Sequence, residues 1–373
     1  MSVRGNADET LKMLYIEELI GNSIRNLKNL NIKTSPTLNV FYGPNASGKT
    51  SILESIYLLS RLKSFRSKRI SDVITDGDDK IQVFAKGKLK NKMFSVGIEK
   101  GRGITRIKFN GREVKTASEL VKMFPVHVLT PNHHTLFVGG PKERRHWLDW
   151  SLFHVEQQYL RAWKNYHKAL RQRNILLKRT KSYNSTEIEG WEKQIEEEGT
   201  KIDCMRTQYL AELNTSLNKK HLPLVLPGDT NIVYLNHNYA ETGLGTMLAK
   251  NRTRDANKGY TAQGPHRTEI AFNYQGFRVE KHLSRGQTKL FAAALISAQL
   301  ERLKKNGGSP IMLVDDLCAE LDQESSERML SLLLSNNIQT FVSSITMPEW
   351  IKQEENNLAV FHVEHGKIKR MLE

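Results

Sequence analysis

Apolar positions along this chain repeat with two different periods, and the change between them divides it. Near the start the period is that of strands. Leu14 to Thr34 (LYIEELIGNSIRNLKNLNIKT) reads as two strands around a turn at Gly21-Asn22. Leu38, Val40, Phe41 and Tyr42 form a short apolar run, as expected of a buried strand. A helical pattern follows, with Ile52, Leu53, Ile56, Tyr57 and Leu59 on one side. Ile81, Val83 and Ala85 then alternate with polar residues, as do Phe94, Val96 and Ile98. Ile107 and Phe109 lead into Asn110-Gly111, a strong hairpin signal. Pro125 to Leu129 is a further strand, and Gly139-Gly140-Pro141 breaks the pattern.

From about residue 150 the period becomes helical. Tyr159, Trp163, Tyr166, Leu170 and Leu177 follow a heptad-like spacing, with Arg173 standing at one seam position. After a polar gap at Lys181-Ser182-Tyr183-Asn184-Ser185, Thr186 and Glu189 are placed as a capping box. The next helix carries Ile188, Trp191, Ile195, Ile202, Met205 and Tyr209 on its seam. Two such helices predict a short antiparallel helical arm. Residues 218–262 are mixed and fit neither period. Strand alternation returns with Ile270, Phe272 and Tyr274, a turn at Gln275-Gly276, and Phe277 and Val279. Leu290, Phe291, Ala294, Leu295 and Ala298 mark another helix. Ile311 to Val314 and Gln339 to Val342 read as buried strands, and Leu358 to Met371 as a hairpin turning at His365-Gly366.

Composition narrows the class. The chain has 373 residues with 26% charged and 39% hydrophobic, as in a soluble globular protein of two or three structural units. No apolar run approaches the roughly 20 residues that span a bilayer. Residues 1–12 are polar, unlike a signal peptide, and are expected to be a disordered extension. Cys204 and Cys318 are the only cysteines, which suggests a reducing, cytoplasmic setting. The formal net charge is +16, which points to an anionic partner such as nucleic acid or an acidic protein.

Three clusters carry chemistry. The first is Gly43-Pro44-Asn45-Ala46-Ser47-Gly48-Lys49-Thr50, with Ser51 behind it, which fits G-x-x-x-x-G-K-[ST] between a strand and a helix. The glycines let backbone N–H groups cradle phosphate, with the positive end of the helix dipole behind them. Lys49 is placed to reach the β- and γ-phosphates of ATP, and the Thr50 hydroxyl to ligate Mg²⁺. The second is Leu283-Ser284-Arg285-Gly286-Gln287 before a helix. Ser284 there is either an anion contact or a helix cap. The third is Asp315-Asp316 at the end of an apolar strand, followed by Glu320-Leu321-Asp322. Asp315 suits Mg²⁺ opposite Thr50, and Asp316 suits orienting or deprotonating an attacking water, so Lys49 and Asp316 are the catalytic candidates.

Two basic stretches could hold phosphate. Arg61 to Arg69 contains Arg66, Lys68 and Arg69 around Phe65, and reads as a nucleotide contact, a nucleic-acid contact or a solvated loop. The first arm helix carries Arg161, Lys164, Lys168, Arg171, Arg173, Lys178 and Arg179, with no carboxylate before Lys181. That stripe is either a solvated face or a track along DNA phosphates.

Taken together, the glycine loop, L-S-x-G-Q, D-D and E-L-D resemble the ABC-type ATPase heads of the SMC and Rad50 group. The closer likeness is to the RecF family. Ser64-Phe65-Arg66 resembles its S-F-R, and Gly140-Pro141, Arg144-Arg145 and Leu148-Asp149 its G-x-P-x-x-R-R-x-x-L-D. Gly264-Pro265-His266-Arg267 is similar to its G-P-H-R, and Leu283 to Leu290 to L-S-x-G-Q-x-K-L. Ala46 departs from the usual glycine, and Thr268-Glu269 from the usual acidic pair. Ser343 or Ser344 stands where transporter ATPases place a γ-phosphate-sensing histidine, and the glutamine of the lobe-connecting loop has no evident counterpart.

The resemblance implies an α/β fold, an ABC-type P-loop ATPase head with an antiparallel β subdomain and a short coiled-coil-like arm. The head would comprise 13–149 and 256–373, the arm 150–255. It implies a slow, DNA-stimulated ATPase that works as an ATP-bridged homodimer. In it the Lys49 loop of one copy would meet Ser284, Gly286 and Gln287 of the other. It also implies binding to gapped DNA, RecR and RecO as partners and support of RecA loading. Other readings of the same motifs are an ATPase subunit of a defence or nuclease system, and a mainly structural ATP-binding DNA clamp.

Overall fold

The structure, a computed structural model, describes residues 13–179, 186–236, 239–349, 351 and 357–371. The expected extension at 1–12 and the polar gap at 181–185 lie outside these residues. The chain forms two compact units, one of residues 1–133 and 289–373, the other of residues 134–288.

The first unit contains two sheets. One is antiparallel and six-stranded, in the order Leu27–Lys33, Leu14–Ile24, Lys80–Leu89, Lys92–Gly101, Ile104–Phe109 and Arg112–Glu113. The other runs Lys367–Arg370, Leu358–Glu364, Leu38–Tyr42, Thr340–Ser344, Ile311–Val314 and Val126–Leu129. All its neighbours are parallel except the terminal hairpin pair. The helix Lys49–Arg61 packs against strands of both sheets. Its Ile52, Leu53, Ile56, Leu58 and Leu59 are fully buried in one core with Leu19, Val83, Val96, Phe41 and Phe341. The Gln339 amide ties the layers, accepting from the Ile16 N–H at 2.8 Å and donating to the carbonyls of Ile16 and Ser35.

The first turn differs from expectation. Gly21 and Asn22 lie within the strand, paired with Leu30 and Asn29, and the chain reverses at Arg25-Asn26. Ile24 and Leu27 flank that turn and are both fully buried, so the hydrophobic register overrides the glycine-asparagine signal. The Asn110-Gly111 and His365-Gly366 turns stand where expected, all four residues with positive φ.

The second unit has a three-stranded antiparallel sheet, Phe277–Arg278, Glu269–Tyr274 and Thr230–Leu235, beside the helices Pro141–Val155, Tyr159–Arg179 and Thr186–Ser216. Among its described residues, the stretch without a pattern, 218–262, supplies one strand of that sheet, three short α-helices and the helical turns Leu217–His221 and Leu222–Leu224. The unit's borders lie outside the expected arm at 150–255. The reason is local: Pro141–Val155 packs on the strand Glu269–Tyr274, and Arg144 grips Glu269 through two bonds of 2.7 and 2.9 Å.

The two long helices pack together, with Tyr159, Tyr166, Leu170, Leu177, Ile188, Ile195, Ile202 and Tyr209 buried. Trp191 and Met205 are only half-buried, whereas Glu192 and Arg206 are buried. Arg173 leaves the basic stripe altogether. Its fully buried guanidinium donates to Glu192 at 3.0 Å, Asp255 at 2.8 Å and Thr261 at 2.7 Å. Arg161, Lys164, Lys168, Arg171 and Lys178 remain exposed. Among the described residues no helix is long and apolar enough to cross a membrane.

Arg173→Met would leave buried Asp255 without its arginine, while Glu192 keeps Arg252. Removing one partner of a buried pair costs on the order of 3–5 kcal/mol. Denaturant unfolding followed by tryptophan fluorescence should show a loss of that size. A change below about 1 kcal/mol, the range of exposed ion pairs, would show that the network adds little.

Candidate functional site

Parallel pairing sets up a common edge. Val40 pairs with Val342, and Val342 with Val314, so three strands end side by side. Their C-terminal ends carry Gly43, Ser343-Ser344 and Asp315-Asp316. Ligands bind at this end of open α/β sheets.

The loop Gly43–Thr50 has the backbone its sequence demands. Gly43 has φ of 147°, and a Cβ there would sit 2.1 Å from the Val363 carbonyl oxygen. Gly48 has φ of 118° and ends the loop at the helix Lys49–Arg61. Ala46 has φ of 61°, a left-handed conformation that costs an L-residue roughly 1–2 kcal/mol. The Asn26 amide donates to the Ala46 carbonyl at 3.1 Å, and the Gly366 N–H to the Ser47 carbonyl at 2.9 Å. The first hairpin and the last thus hold the loop in its strained form.

Asn45 to Ser51 line a cleft of about 350 Å³ with Arg25, Asn26, Arg66, Pro131, Asp315, Asp316, Ser343 and Ile345. The Lys49 ammonium donates to the carbonyls of Gly43 and Pro44, each at 2.7 Å. Burial lowers its pKa against the pull of Asp316 and Asp315. Thr50 Oγ1 donates to Asp315 Oδ1 at 2.8 Å, and Ser343 Oγ donates to the same oxygen at 2.8 Å. Ser343 Oγ also accepts the Asp316 N–H at 2.8 Å, and Asp316 has φ of 53°. Burial raises the Asp315 pKa, while Ser343, Thr50 and Arg66 oppose the rise.

The residues fit a nucleotide phosphate chain. Ser47 Oγ is buried and lacks a hydrogen-bond partner among the described residues, at the floor of a cradle of positive-φ glycines. Thr50 and Asp315 offer the hard oxygen donors that Mg²⁺ takes alongside phosphate. Ser343 and Ser344 are buried, and the Ser343 hydroxyl donates to the Asp315 carboxylate and accepts the Asp316 N–H, so it is engaged in positioning these two residues. The chain passes from the first unit to the second at His133/His134, after the strand Val126–Leu129, through Thr130-Pro131-Asn132-His133, which contains no glutamine.

The basic segment after the helix divides. Glu54, fully buried, binds Arg25 and Ser64, and Ser64 Oγ accepts the N–H groups of Arg66 and Ser67 at 2.8 Å. All three cations are exposed, but this turn sets Arg66 at the edge of the cleft, which Lys68 and Arg69 do not line. Ser284 and Gln287, in the second unit, cap each other reciprocally. The Ser284 N–H donates to Gln287 Oε1 at 3.0 Å and the Gln287 N–H to Ser284 Oγ at 3.2 Å. Ser284 and Gln287 are exposed and Gly286 is half-buried.

One residue escaped the sequence reading. Lys289, in the first unit, is buried and donates to the carbonyls of Asp316, Leu317 and Ala319 at 2.8, 3.1 and 2.9 Å. Burial lowers its pKa. It clamps the loop behind the paired carboxylates. The lysine of L-S-x-G-Q-x-K-L was the available signal, but the carbonyl cage it fills is irregular backbone with no pattern of its own.

Comparisons with known proteins find relatives over nearly the whole chain. Residues 15–369 match the family model described as RecF/RecN/SMC N terminal domain. The chain is 34% identical over 351 residues to the DNA replication and repair protein RecF of Pseudoalteromonas translucida, covering 92% of this chain and 96% of that protein. It is 35% identical over 365 residues to that of Shewanella sediminis, covering 96% and 99%. Among solved structures it is similar to the recombination mediator protein RecF with ATP in the RecFOR pathway. The TM-score is 0.83 with 26% identity, over 96% of this chain and 98% of that one. An Smc head bound to the C-winged helix domain of ScpA shares the fold, with a TM-score of 0.58 and 16% identity, over 96% and 98% of the two chains.

Asp315→Asn separates stability from ligand binding. A carboxyl whose folded pKa is raised stabilises the fold below its ordinary pKa, and that stability is lost as pH rises through the folded value. At neutral pH the buried charge is therefore a burden that asparagine removes. Thermal unfolding without ligand should show an unchanged melting temperature or a rise of a few degrees. The additional rise produced by ATP with Mg²⁺ should shrink by more than half. A fall of several degrees without ligand would contradict this assignment of the burial cost.

Proposed function

This chain belongs to the RecF family of DNA replication and repair proteins, and from that premise we propose that it is an ATP-binding protein of recombinational repair that dimerises around nucleotide and binds DNA. The observation that carries this reading is the hydrogen bond between Thr50 and Asp315 beside the Lys49 loop. It joins the hydroxyl and carboxylate that a nucleotide-bound Mg²⁺ needs.

In this reading Gly43 to Ser51 cradle the phosphates. Lys49 leaves the Gly43 and Pro44 carbonyls for the β- and γ-phosphates. Thr50 and Asp315 hold Mg²⁺, which neutralises phosphate charge. Asp316, fixed by Ser343, orients the attacking water. Ser284, Gly286 and Gln287 of a second copy approach the γ-phosphate. Turnover is slow, because no histidine directly follows the strand Thr340–Ser344 and both of its last serines are buried. DNA with a gap beside duplex is the polynucleotide ligand. Exposed Lys164, Lys168 and Arg171 on the arm, with Lys68 and Arg69, supply phosphate contacts, and Arg66 serves the nucleotide cleft instead. The relatives named RecF and the solved structures placed in the RecFOR pathway support RecO and RecR as partners.

Ser284→Arg tests the two-copy site. Its own Lys49 loop stays whole, so the monomer should bind ATP with near-normal affinity. The arginine crowds the approach of the second copy, so ATP-driven dimerisation and hydrolysis should be lost. Loss of the cap alone predicts only about 1 kcal/mol of instability. Sizing with ATP, paired with thermal unfolding without it, distinguishes the two. A variant that still dimerises with ATP would rule out the shared site.

A further inference from the structure

The second unit contains a cleft of about 250 Å³ that the nucleotide site does not use. Lys142 and Arg145 line it from the helix Pro141–Val155, Trp163 and His167 from the first arm helix, Arg206 from the second, and His266 from G-P-H-R.

Its charge is unbalanced. Its single carboxylate, Asp149, receives Arg206 at 2.6 Å, the Tyr159 hydroxyl at 2.5 Å and the Trp163 indole N–H at 3.2 Å. Glu269 nearby is held by Arg144. Arg145 is half-buried and donates one N–H to the Thr268 carbonyl at 2.7 Å. Among the described residues it has no ion-pair partner. Burial first, then the neighbouring Arg206, lower its pKa against the pull of Glu269 and Asp149, both of which are engaged by other arginines. His266 is a fixed neutral wall. Its Nδ1 accepts from Tyr166 Oη at 2.7 Å and its Nε2 donates to the Thr261 carbonyl at 3.0 Å, with a pKa pushed down to about 4. The basic lining continues on the far side of this segment. Arg267 lies over the Tyr260 ring at 5.1 Å, and both line a second cleft with Arg254 and Lys258.

A half-buried guanidinium with free donors, walled by fixed neutral groups and short of carboxylates, is a receptor for a bidentate oxyanion. We propose that this cleft is a phosphate site of the second unit, taking a DNA backbone phosphate at Arg145 with Lys142 at its mouth. The proposal rests on the DNA-binding reading above. It gives the R-R and G-P-H-R segments a common purpose. Arg144 braces the unit, Arg145 meets the phosphate, and His266 and Arg267 shape the wall between two basic clefts.

The test is a salt titration of gapped-duplex binding by the full chain with ATP, comparing wild type with Arg145→Gln and with Lys142→Gln. Lys142 is exposed and forms no ion pair among the described residues, so the second variant reads binding even if the first folds poorly. Each variant should weaken binding about fivefold or more and flatten the slope of log K against log[salt] by about one. ATP affinity should not change. Wild-type slopes in both variants, with DNA still bound, would overturn this site and leave the DNA reading standing. A wild-type chain that binds no DNA would overturn both. Variants that lose stabilisation by inorganic phosphate yet keep their DNA slope would assign the cleft to a small anion and overturn the DNA assignment.

Discussion

The shared hydrogen bonds to Asp315 Oδ1 are the constraint around which the first unit is arranged. One oxygen accepts Thr50 from the phosphate loop and Ser343 from the neighbouring strand. Both bonds require the strands Leu38–Tyr42, Thr340–Ser344 and Ile311–Val314 to end in register. That register goes with strands buried on both faces of a parallel sheet, apolar along Ile311–Val314 and mostly apolar in Leu38–Tyr42. A one-residue slip would turn each of these side chains to the opposite face. The carboxylate is buried at a cost in its ionised form, and the hydroxyl donors offset part of that cost. Lys289 and Ser343 then fix the backbone after Asp315, leaving the Asp316 side chain partly open to the cleft.

Most of this site was legible because its residues are consecutive and their local structure is cooperative. A glycine loop between an apolar strand and a helix admits few geometries, and the D-D pair follows four apolar residues. The less legible parts depend on pairs far apart in sequence. Arg25-Asn26 looks like an ordinary strand segment until Ile24 and Leu27 are seen to be buried together. Gly366 reads as a hairpin glycine, and nothing nearby reveals that its N–H holds the Ser47 carbonyl. Arg66 reads as one cation among several, and only Ser64 bound to buried Glu54 selects it for the cleft.

The arm shows the same limit more strongly. Heptad spacing located both helices and put Arg173 at a seam position, but gave no sign that Arg173, Glu192 and Arg206 form buried ion pairs. They are buried because Asp255 and Thr261 come from other segments to Arg173, Arg252 to Glu192, and Asp149 to Arg206. The wider extent of the second unit has a similar origin. The Arg144–Glu269 pair joins residues 125 positions apart, and periodicity carries no trace of it. The family resemblance did register these positions as motifs. The structure gives them a physical content: one arginine of the pair is braced and the other lacks a counterion among the described residues.

The central claim is that the Gly43–Thr50 cleft binds ATP through Lys49. The most direct test is titration of ATP against a fluorescent nucleotide, with Mg²⁺ held constant, on the wild-type chain and on Lys49→Ala. A charge-assisted contact is worth about 3 kcal/mol at the upper end, equivalent to roughly 100-fold in affinity. The account predicts ATP binding by the wild type and a loss of about that size in the variant. Equal affinity in the two proteins, with both folded, would contradict it.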